Sequence, residues 1–132
     1  YFNYGGPGYV LSRATLSKFV SVMEEGPKEC TSRQATHQED VNIAQCLRRL
    51  NVGLTDARDA RGRERFHVFP PGWHYNWRYP GPPDQGAYWH YGKEWGFKTG
   101  KDCCAPDSVS FHNIKKPGLM RHLHALLHSC DE

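Results

Sequence analysis

The sequence predicts an α/β fold with a mixed sheet, flanking helices and a long aromatic loop. Two observations support this prediction. Segments of helical period alternate along the chain with short strand-like runs. Between them, residues 70–101 hold all four tryptophans and four tyrosines among many prolines and glycines. A chain of 132 residues is long enough to bury a core, so it fits one domain or one lobe of a larger domain.

The first element is a strand, a glycine turn and a helix. Residues 1–12 alternate aromatic side chains with glycines and stop at Ser12, a good N-cap. The following helix is predicted to end at Gly26-Pro27. Its apolar residues recur at near-helical spacing, at Ala14, Leu16, Phe19, Val20 and Met23.

The second helix contains two adjacent acids. The capping-box pattern Thr36-x-x-Glu39 predicts a start at Thr36 and an end near Leu50. On a helical wheel, Glu39 and Asp40 fall on the less polar arc. Two interpretations stay open at this point. The acids stabilise the helix start by about 0.3–1 kcal/mol each, or a carboxylate faces a cleft and acts as a general base.

The remaining elements follow in order along the chain. Strands are predicted at Val52–Thr55, at Arg65–Phe69 and within residues 107–114, which read DSVSFHNI. The aromatic loop at residues 70–101 is predicted to be ordered and to line a site. It serves either as a packed lid or as a platform for a sugar ring. Pro117 opens a final helix with a leucine stripe.

Three histidines are candidate metal ligands. His112 follows the strand-like SVSF, although a lone histidine is more often a structural hydrogen-bonding residue. His124 and His128 are i, i+4 neighbours that could share a metal ion. Because they lack an acid or cysteine partner at a suitable spacing, a solvated helix face is the expected role.

Charge and hydropathy exclude some classes of partner. The net charge of +3 comes from 17 basic and 14 acidic residues without basic blocks. Nucleic acid or an anionic membrane surface is therefore not favoured as a partner. No apolar run has the length of a transmembrane helix or signal peptide. Since the chain lacks an initiator Met, we expect it to be a fragment of a longer protein.

Five cysteines suggest a protein of the secretory route. They are Cys30, Cys46, Cys103, Cys104 and Cys130. The chain has no CxxC pair to close half of a zinc site, so disulfides are favoured over a zinc module. Reduced cysteines in a cytosolic protein are the alternative. Adjacent cysteines, about 3.8 Å apart at Cα, rarely bond to each other, so separate partners or free thiols are the default for Cys103 and Cys104.

Several motifs together resemble one family. GGPGYVLSRATL resembles the glycine-rich segment of the β1,3-glycosyltransferases, and QEDVNIAQCLRRLNV resembles their acidic ED motif with its helix. DARDARGRERFHVF, YWHY, the adjacent CC and SVSFHNI are similar to the core 1 β1,3-galactosyltransferases, which extend O-linked GalNAc on glycoproteins. The resemblance spans nearly the whole chain in order.

The resemblance implies a GT-A-type α/β fold, a UDP-galactose donor, a manganese ion, a glycoprotein acceptor and inversion at the anomeric carbon. Asp40 would be the base, with Glu39 beside it in the ED motif, and His112 would bind the metal. Gly5 and Gly6 would let the backbone approach the substrates.

The resemblance also implies contacts and pairings elsewhere. Trp89 and Tyr91 are candidates for contact with the acceptor sugar. The family pattern pairs Cys30 with Cys46 and Cys103 with Cys104, and Cys130 has no assigned role. A homodimer stays open.

The chain departs from the family pattern in three ways. Pro7 stands where the family has a small residue, the aromatic loop is only loosely similar, and no Asp-x-Asp motif occurs. We therefore expect the acceptor-side, C-terminal part of a catalytic domain, inactive alone. The nucleotide-binding half, the stem and a Golgi membrane anchor would lie outside this sequence.

Three other functions compete with galactosyl transfer. A relative can act as a chaperone for such transferases, and members of the broader group transfer GlcNAc. Without the resemblance, a secreted carbohydrate-binding module built on the aromatic loop is the remaining alternative.

Overall fold

The computed structural model describes residues 4–31, 38–77, 92 and 94–128, with side chains through residue 125. It contains helices and a small parallel sheet, so the α/β prediction is confirmed at that level. The chain divides into two compact units, Tyr1–Ala57 and Arg58–Glu132. Within the described ranges, no helix is both long and apolar enough to cross a bilayer.

In the described residues, the first unit contains two helices and a short 3-10 turn. These are α1 at Arg13–Val20, the 3-10 turn at Lys28–Cys30 and α2 at Glu39–Arg49. The Cys30–Cys46 disulfide joins the turn to α2. Both cysteines are buried, as is Leu47. A disulfide that closes a loop of this size typically stabilises a fold by about 3 kcal/mol.

The start of α1 agrees with the prediction, but its end does not. The Ser12 hydroxyl accepts a hydrogen bond from the Thr15 backbone N–H at 3.1 Å, as an N-cap should. The helix ends at Val20 instead of Gly26. Residues 21–25 form turns instead, and the β-branched Val20 and Val22 at this point are weak helix formers.

The predicted amphipathic face of α1 is not buried. None of its residues is buried, and Leu16 and Val20 are 48% and 56% exposed. The helix is instead connected to α2 by Lys18, whose ammonium group donates a 2.6 Å hydrogen bond to the Leu50 carbonyl. A cation at the C-terminal end of a helix also complements the helix dipole.

The predicted start of α2 was wrong. The helix begins at Glu39, and Gln38 occupies the N-cap without a side-chain hydrogen bond. Glu39 is therefore the first helical residue and cannot be the third-position member of a capping box. Thr36, the other member of that box, lies outside the described residues.

Neither predicted strand of the first unit is present in the residues that the structure describes. Residues 4–12 hold a turn in which the Gly8 N–H donates to the Gly5 carbonyl at 2.9 Å. Gly8 has a φ of 84°, which glycine adopts without strain. Residues 52–55 are also not a strand. There the chain leaves α2 through Asn51 in the left-handed region, with a φ of 54°.

The described part of the second unit contains a two-stranded parallel sheet. Its described elements are β1 at Phe66–His67, α3 at Pro71–Asn76, a 3-10 turn at Gly100–Asp102, β2 at Ser110–Phe111 and α4 at Pro117–His128. The register pairs Phe66 with Ser110 and His67 with Phe111. The predicted strands thus exist in shortened form. The helix predicted from Pro117 is confirmed, and α3 occupies the start of the predicted aromatic loop.

Aromatic rings form the core of the second unit. His67 stacks on Phe111 at a centroid distance of 4.2 Å and meets His74 edge-on at 5.2 Å. Trp73 packs edge-on against Trp77 at 4.1 Å. The Ser108 hydroxyl donates to the Ala105 carbonyl, so it accepts from His67 Nε2 at 2.9 Å. The ring stacking and the hydrogen bond hold the end of β1 against β2 and the residues before it.

Burial keeps the two core histidines neutral. Desolvation lowers the pKa of His67 and that of His74 to about 4 each, and His67 is also affected by the neighbouring His74. In the unfolded chain the same imidazoles bind a proton near pH 6.5. The unfolded state therefore binds more protons between about pH 6.5 and pH 4, and the stability that the neutral histidines contribute is lost as the pH falls through this window.

We predict that the free energy of unfolding falls when the pH is lowered from 7.5 to 5, and that His67→Gln reduces this fall. Glutamine can still donate to Ser108 but does not titrate. Urea unfolding followed by tryptophan fluorescence measures the effect. The control is His122→Gln, because His122 is exposed on α4. An identical pH dependence for His67→Gln and wild type would contradict the prediction.

Candidate functional site

The first turn of α2 carries the acidic pair, and Asp40 is its half-buried member. Asp40 Oδ2 accepts a hydrogen bond from the Gly5 backbone N–H at 2.9 Å. Oδ1 accepts one from the Val41 backbone N–H at 2.8 Å. Each carboxylate oxygen can accept a further bond. Two main-chain donors therefore orient the carboxylate while leaving it able to accept a proton.

Gly5 is close to Asp40, and this contact explains why a glycine suits the position. A Cβ at residue 5 would lie 3.0 Å from Asp40 Cβ and 3.2 Å from Oδ2. Both separations are tighter than ordinary van der Waals contact. The expected close approach of the Gly5 backbone is thus observed toward the carboxylate, while approach of Gly5 and Gly6 to a substrate stays a prediction.

Glu39 has a different environment from its neighbour. It is exposed, which differs from its predicted place on the less polar arc. Its Oε1 accepts a hydrogen bond from the Tyr9 hydroxyl at 2.8 Å. Burial of the phenol, the hydrogen bond to Glu39 and the nearby negative charge of both acids raise the pKa of Tyr9 to about 12. Tyr9 is therefore a protonated donor at neutral pH.

Tyr9 is the residue of this site that the sequence did not reveal. It stands in GGPGYVLS, 30 positions before Glu39, and no local periodicity connects the two. A tyrosine within a glycine-rich segment that precedes an acidic pair is the signal that could have suggested it, because a partly buried phenol usually finds a hydrogen-bond acceptor.

His112 lies in the second unit, directly after β2, and is half-buried. Its backbone N–H donates to the His67 carbonyl at 2.8 Å. Its ring Nδ1 lies 3.2 Å from the Val68 carbonyl oxygen. A carbonyl can only accept, so Nδ1 carries the proton and Nε2 presents its lone pair. This tautomer is the one in which metal-binding histidines are commonly held.

His112 is a single candidate ligand, and one imidazole does not make a metal site by itself. Among the described residues, no group of three or more His, Cys, Asp or Glu side chains is arranged to hold a metal ion. His112 could thus supply a single imidazole, and further ligands would have to come from elsewhere. His124 is exposed, as predicted for a solvated face.

The structure contains both disulfides that the resemblance implied. Cys30 pairs with Cys46 and Cys103 with Cys104. The second pair overturns the default interpretation from spacing, which kept adjacent cysteines apart. Cys104 also forms an isolated parallel bridge with Glu64, which lies two residues before β1. Trp89, Tyr91 and Cys130 lie outside the described residues.

Comparison with known proteins identifies the class. No protein-family model matches the chain. Over 111 residues, however, it is 35% identical to glycoprotein-N-acetylgalactosamine 3-beta-galactosyltransferase 1 of Xenopus laevis. The match covers 83% of this chain and 29% of that protein, so the chain spans less than a third of the relative's length.

This match places the chain in the glycosyltransferase class, and the described α/β arrangement is compatible with a fragment of such a protein. Within that class, the chain belongs by sequence to the core 1 β1,3-galactosyltransferase family, as its motifs indicated.

We predict that Gly5→Ala displaces the Asp40 carboxylate, because the added Cβ would lie 3.0 Å from Asp40 Cβ. Amide hydrogen exchange measured by NMR should show faster exchange at residue 5 and at Val41 by about tenfold or more, because the carboxylate no longer accepts from either amide. Gly53→Ala is the matched control, since an added Cβ there meets nothing within 4 Å. Unchanged protection of both amides in Gly5→Ala would refute the prediction.

Proposed function

We propose that the protein containing this chain transfers galactose from UDP-galactose to O3 of GalNAc linked to Ser or Thr, with inversion at C1 of galactose. The chain would supply the acceptor side of the catalytic domain. The observation that carries the proposal is the Asp40 carboxylate, held by the Gly5 and Val41 amides at the start of α2. The match to a galactosyltransferase supports the choice of reaction.

In the proposed reaction, Asp40 acts as the general base. The acceptor O3 forms a bond to C1 of galactose, and its proton passes to the Asp40 carboxylate. The bond from C1 to the UDP oxygen breaks, and its electron pair leaves with UDP. A single displacement of this kind inverts C1. The main-chain donors on Asp40 fix its direction before the substrate arrives, which reduces the entropic cost of alignment.

His112 is the proposed contribution of this chain to a divalent metal site, with manganese as the expected ion. The fixed tautomer, with Nδ1 on the Val68 carbonyl, supports this role. When bound, the ion would offset the negative charge that develops on the departing diphosphate. The remaining ligands would come from an Asp-x-Asp motif, which this sequence does not contain. We therefore propose that the isolated chain is inactive.

The cellular setting is proposed on the same grounds. Two disulfides suit the oxidising lumen of the secretory route. We place the activity in the Golgi lumen, where a membrane anchor outside this sequence would hold the enzyme near its glycoprotein acceptors. The GT-A-type fold of the complete catalytic domain is part of the same proposal.

We predict that Asp40→Asn in the full-length protein lowers kcat for galactosyl transfer by at least about 100-fold, since an amide cannot accept the proton. The matched control is Asp107→Asn, whose side chain is exposed in an ion pair with Arg65. It should stay near the wild-type rate. If Asp40→Asn stays folded and transfers galactose within about tenfold of wild type, Asp40 is not the base.

We also predict that His112→Gln raises the manganese concentration needed for half-maximal transfer by about tenfold or more, because one ligand is lost. Direct manganese binding, followed by electron paramagnetic resonance of the free ion, should weaken in parallel. His122→Gln serves as the control because His122 is an exposed histidine. An unchanged manganese titration in His112→Gln would remove His112 from the metal site.

A further inference from the structure

One segment contacts both acids of the site. We call residues 4–12 the glycine loop. Its Gly5 N–H binds Asp40, and its Tyr9 hydroxyl binds Glu39 at 2.8 Å. The two bonds originate four residues apart in the loop and end on adjacent residues of α2. The loop therefore determines the positions of two carboxylates, although the proposed base is only one of them.

The Tyr9 bond restricts a side chain that would otherwise be free to move. Glu39 is exposed, and a long exposed carboxylate samples several rotamers in water. Tyr9 is stiffer, because its ring has two rotatable bonds, and it is half-buried. A phenol that stays protonated at neutral pH donates a charge-assisted hydrogen bond. Glu39 is thereby held in one direction on the same helical turn as Asp40.

The second oxygen of Glu39 can bind a hydroxyl group. In the described part of the chain, the hydrogen bond that Glu39 accepts comes from Tyr9 and ends on Oε1. Oε2 therefore keeps its capacity as an acceptor, and a hydroxyl donating to a carboxylate makes a short, strong bond. Such an acceptor next to the base selects a substrate that carries a second hydroxyl beside the reacting one.

The proposed acceptor has such a hydroxyl. In GalNAc, the carbon that bears O3 has two ring neighbours: C2 carries the N-acetyl group, and C4 carries a hydroxyl. When O3 faces Asp40, the 4-hydroxyl is the hydroxyl next to it on the ring and can donate to a second carboxylate. We propose that Tyr9 is a positioning residue that holds Glu39 so that its Oε2 accepts a hydrogen bond from the 4-hydroxyl of the acceptor. This inference rests on the proposed function.

The test compares two acceptors in the full-length protein. They are a GalNAc glycopeptide and the same glycopeptide with 4-deoxy-GalNAc. KM and kcat for each are measured with wild type, Tyr9→Phe, Glu39→Gln and the double variant. Tyr4→Phe is the matched control, since Tyr4 belongs to the same loop and is 47% exposed. Thermal unfolding of each variant separates a loss of fold from a loss of recognition.

A positioning role gives a specific pattern. On the natural acceptor, Tyr9→Phe should raise KM about tenfold and change kcat less than about threefold. On the deoxy acceptor, the KM of wild type should already be raised. Tyr9→Phe should raise that KM further by less than about twofold. The double variant should have about the same KM as Glu39→Gln, because the two substitutions remove the same interaction. Tyr4→Phe should match wild type on both acceptors.

The contrary results are equally specific. An unchanged KM in Tyr9→Phe, or an equal rise on both acceptors, overturns the role of Tyr9 while leaving galactosyl transfer intact. If wild type transfers no galactose to either acceptor, the proposed function fails instead. Ligand-observed NMR with the two glycopeptides then decides the inference: weaker binding of the GalNAc form by Tyr9→Phe supports it, and equal binding refutes it.

Discussion

The hydrogen bond from the Gly5 N–H to Asp40 Oδ2 is the interaction on which the first unit's site depends. It joins a loop near the start of the chain to the first turn of α2, 35 residues later. The bond requires that residue 5 has no side chain, because a Cβ would press against Asp40. The Cys30–Cys46 disulfide holds α2 near its C-terminal end. The hydrogen bond to Gly5 supports a helix start whose N-cap residue, Gln38, makes no side-chain hydrogen bond.

In the second unit, aromatic packing positions the candidate metal ligand, His112. Two residues per strand make a sheet too short to be stable by pairing alone. Its order comes from the neutral ring of His67, which is 1% exposed, stacks on Phe111 and donates to Ser108. His112 follows directly, tied by its backbone and its ring to carbonyls of residues 67 and 68. The Val68 carbonyl thus determines which nitrogen of the neutral His112 ring keeps its lone pair.

The elements that the sequence predicted well are those with local causes. Ser12 caps α1 because its hydroxyl reaches an amide three residues away, and Pro117 begins α4 because its ring suits a helix start. The start of α2 could not be predicted, since it is held by Gly5, which lies 35 residues before Asp40. The Tyr9 bond to Glu39 is also long-range. For the site, motif resemblance indicated the acids and the disulfides, whereas their hydrogen-bond partners required the three-dimensional structure.

Both donors that orient Asp40 belong to the main chain. Main-chain amides are present whatever side chain a residue carries, apart from proline. Substitutions in the surrounding residues can therefore change the shape and charge around Asp40 without removing the two hydrogen-bond donors of its carboxylate. The orientation of the carboxylate depends instead on the backbone path and on the small size of residue 5.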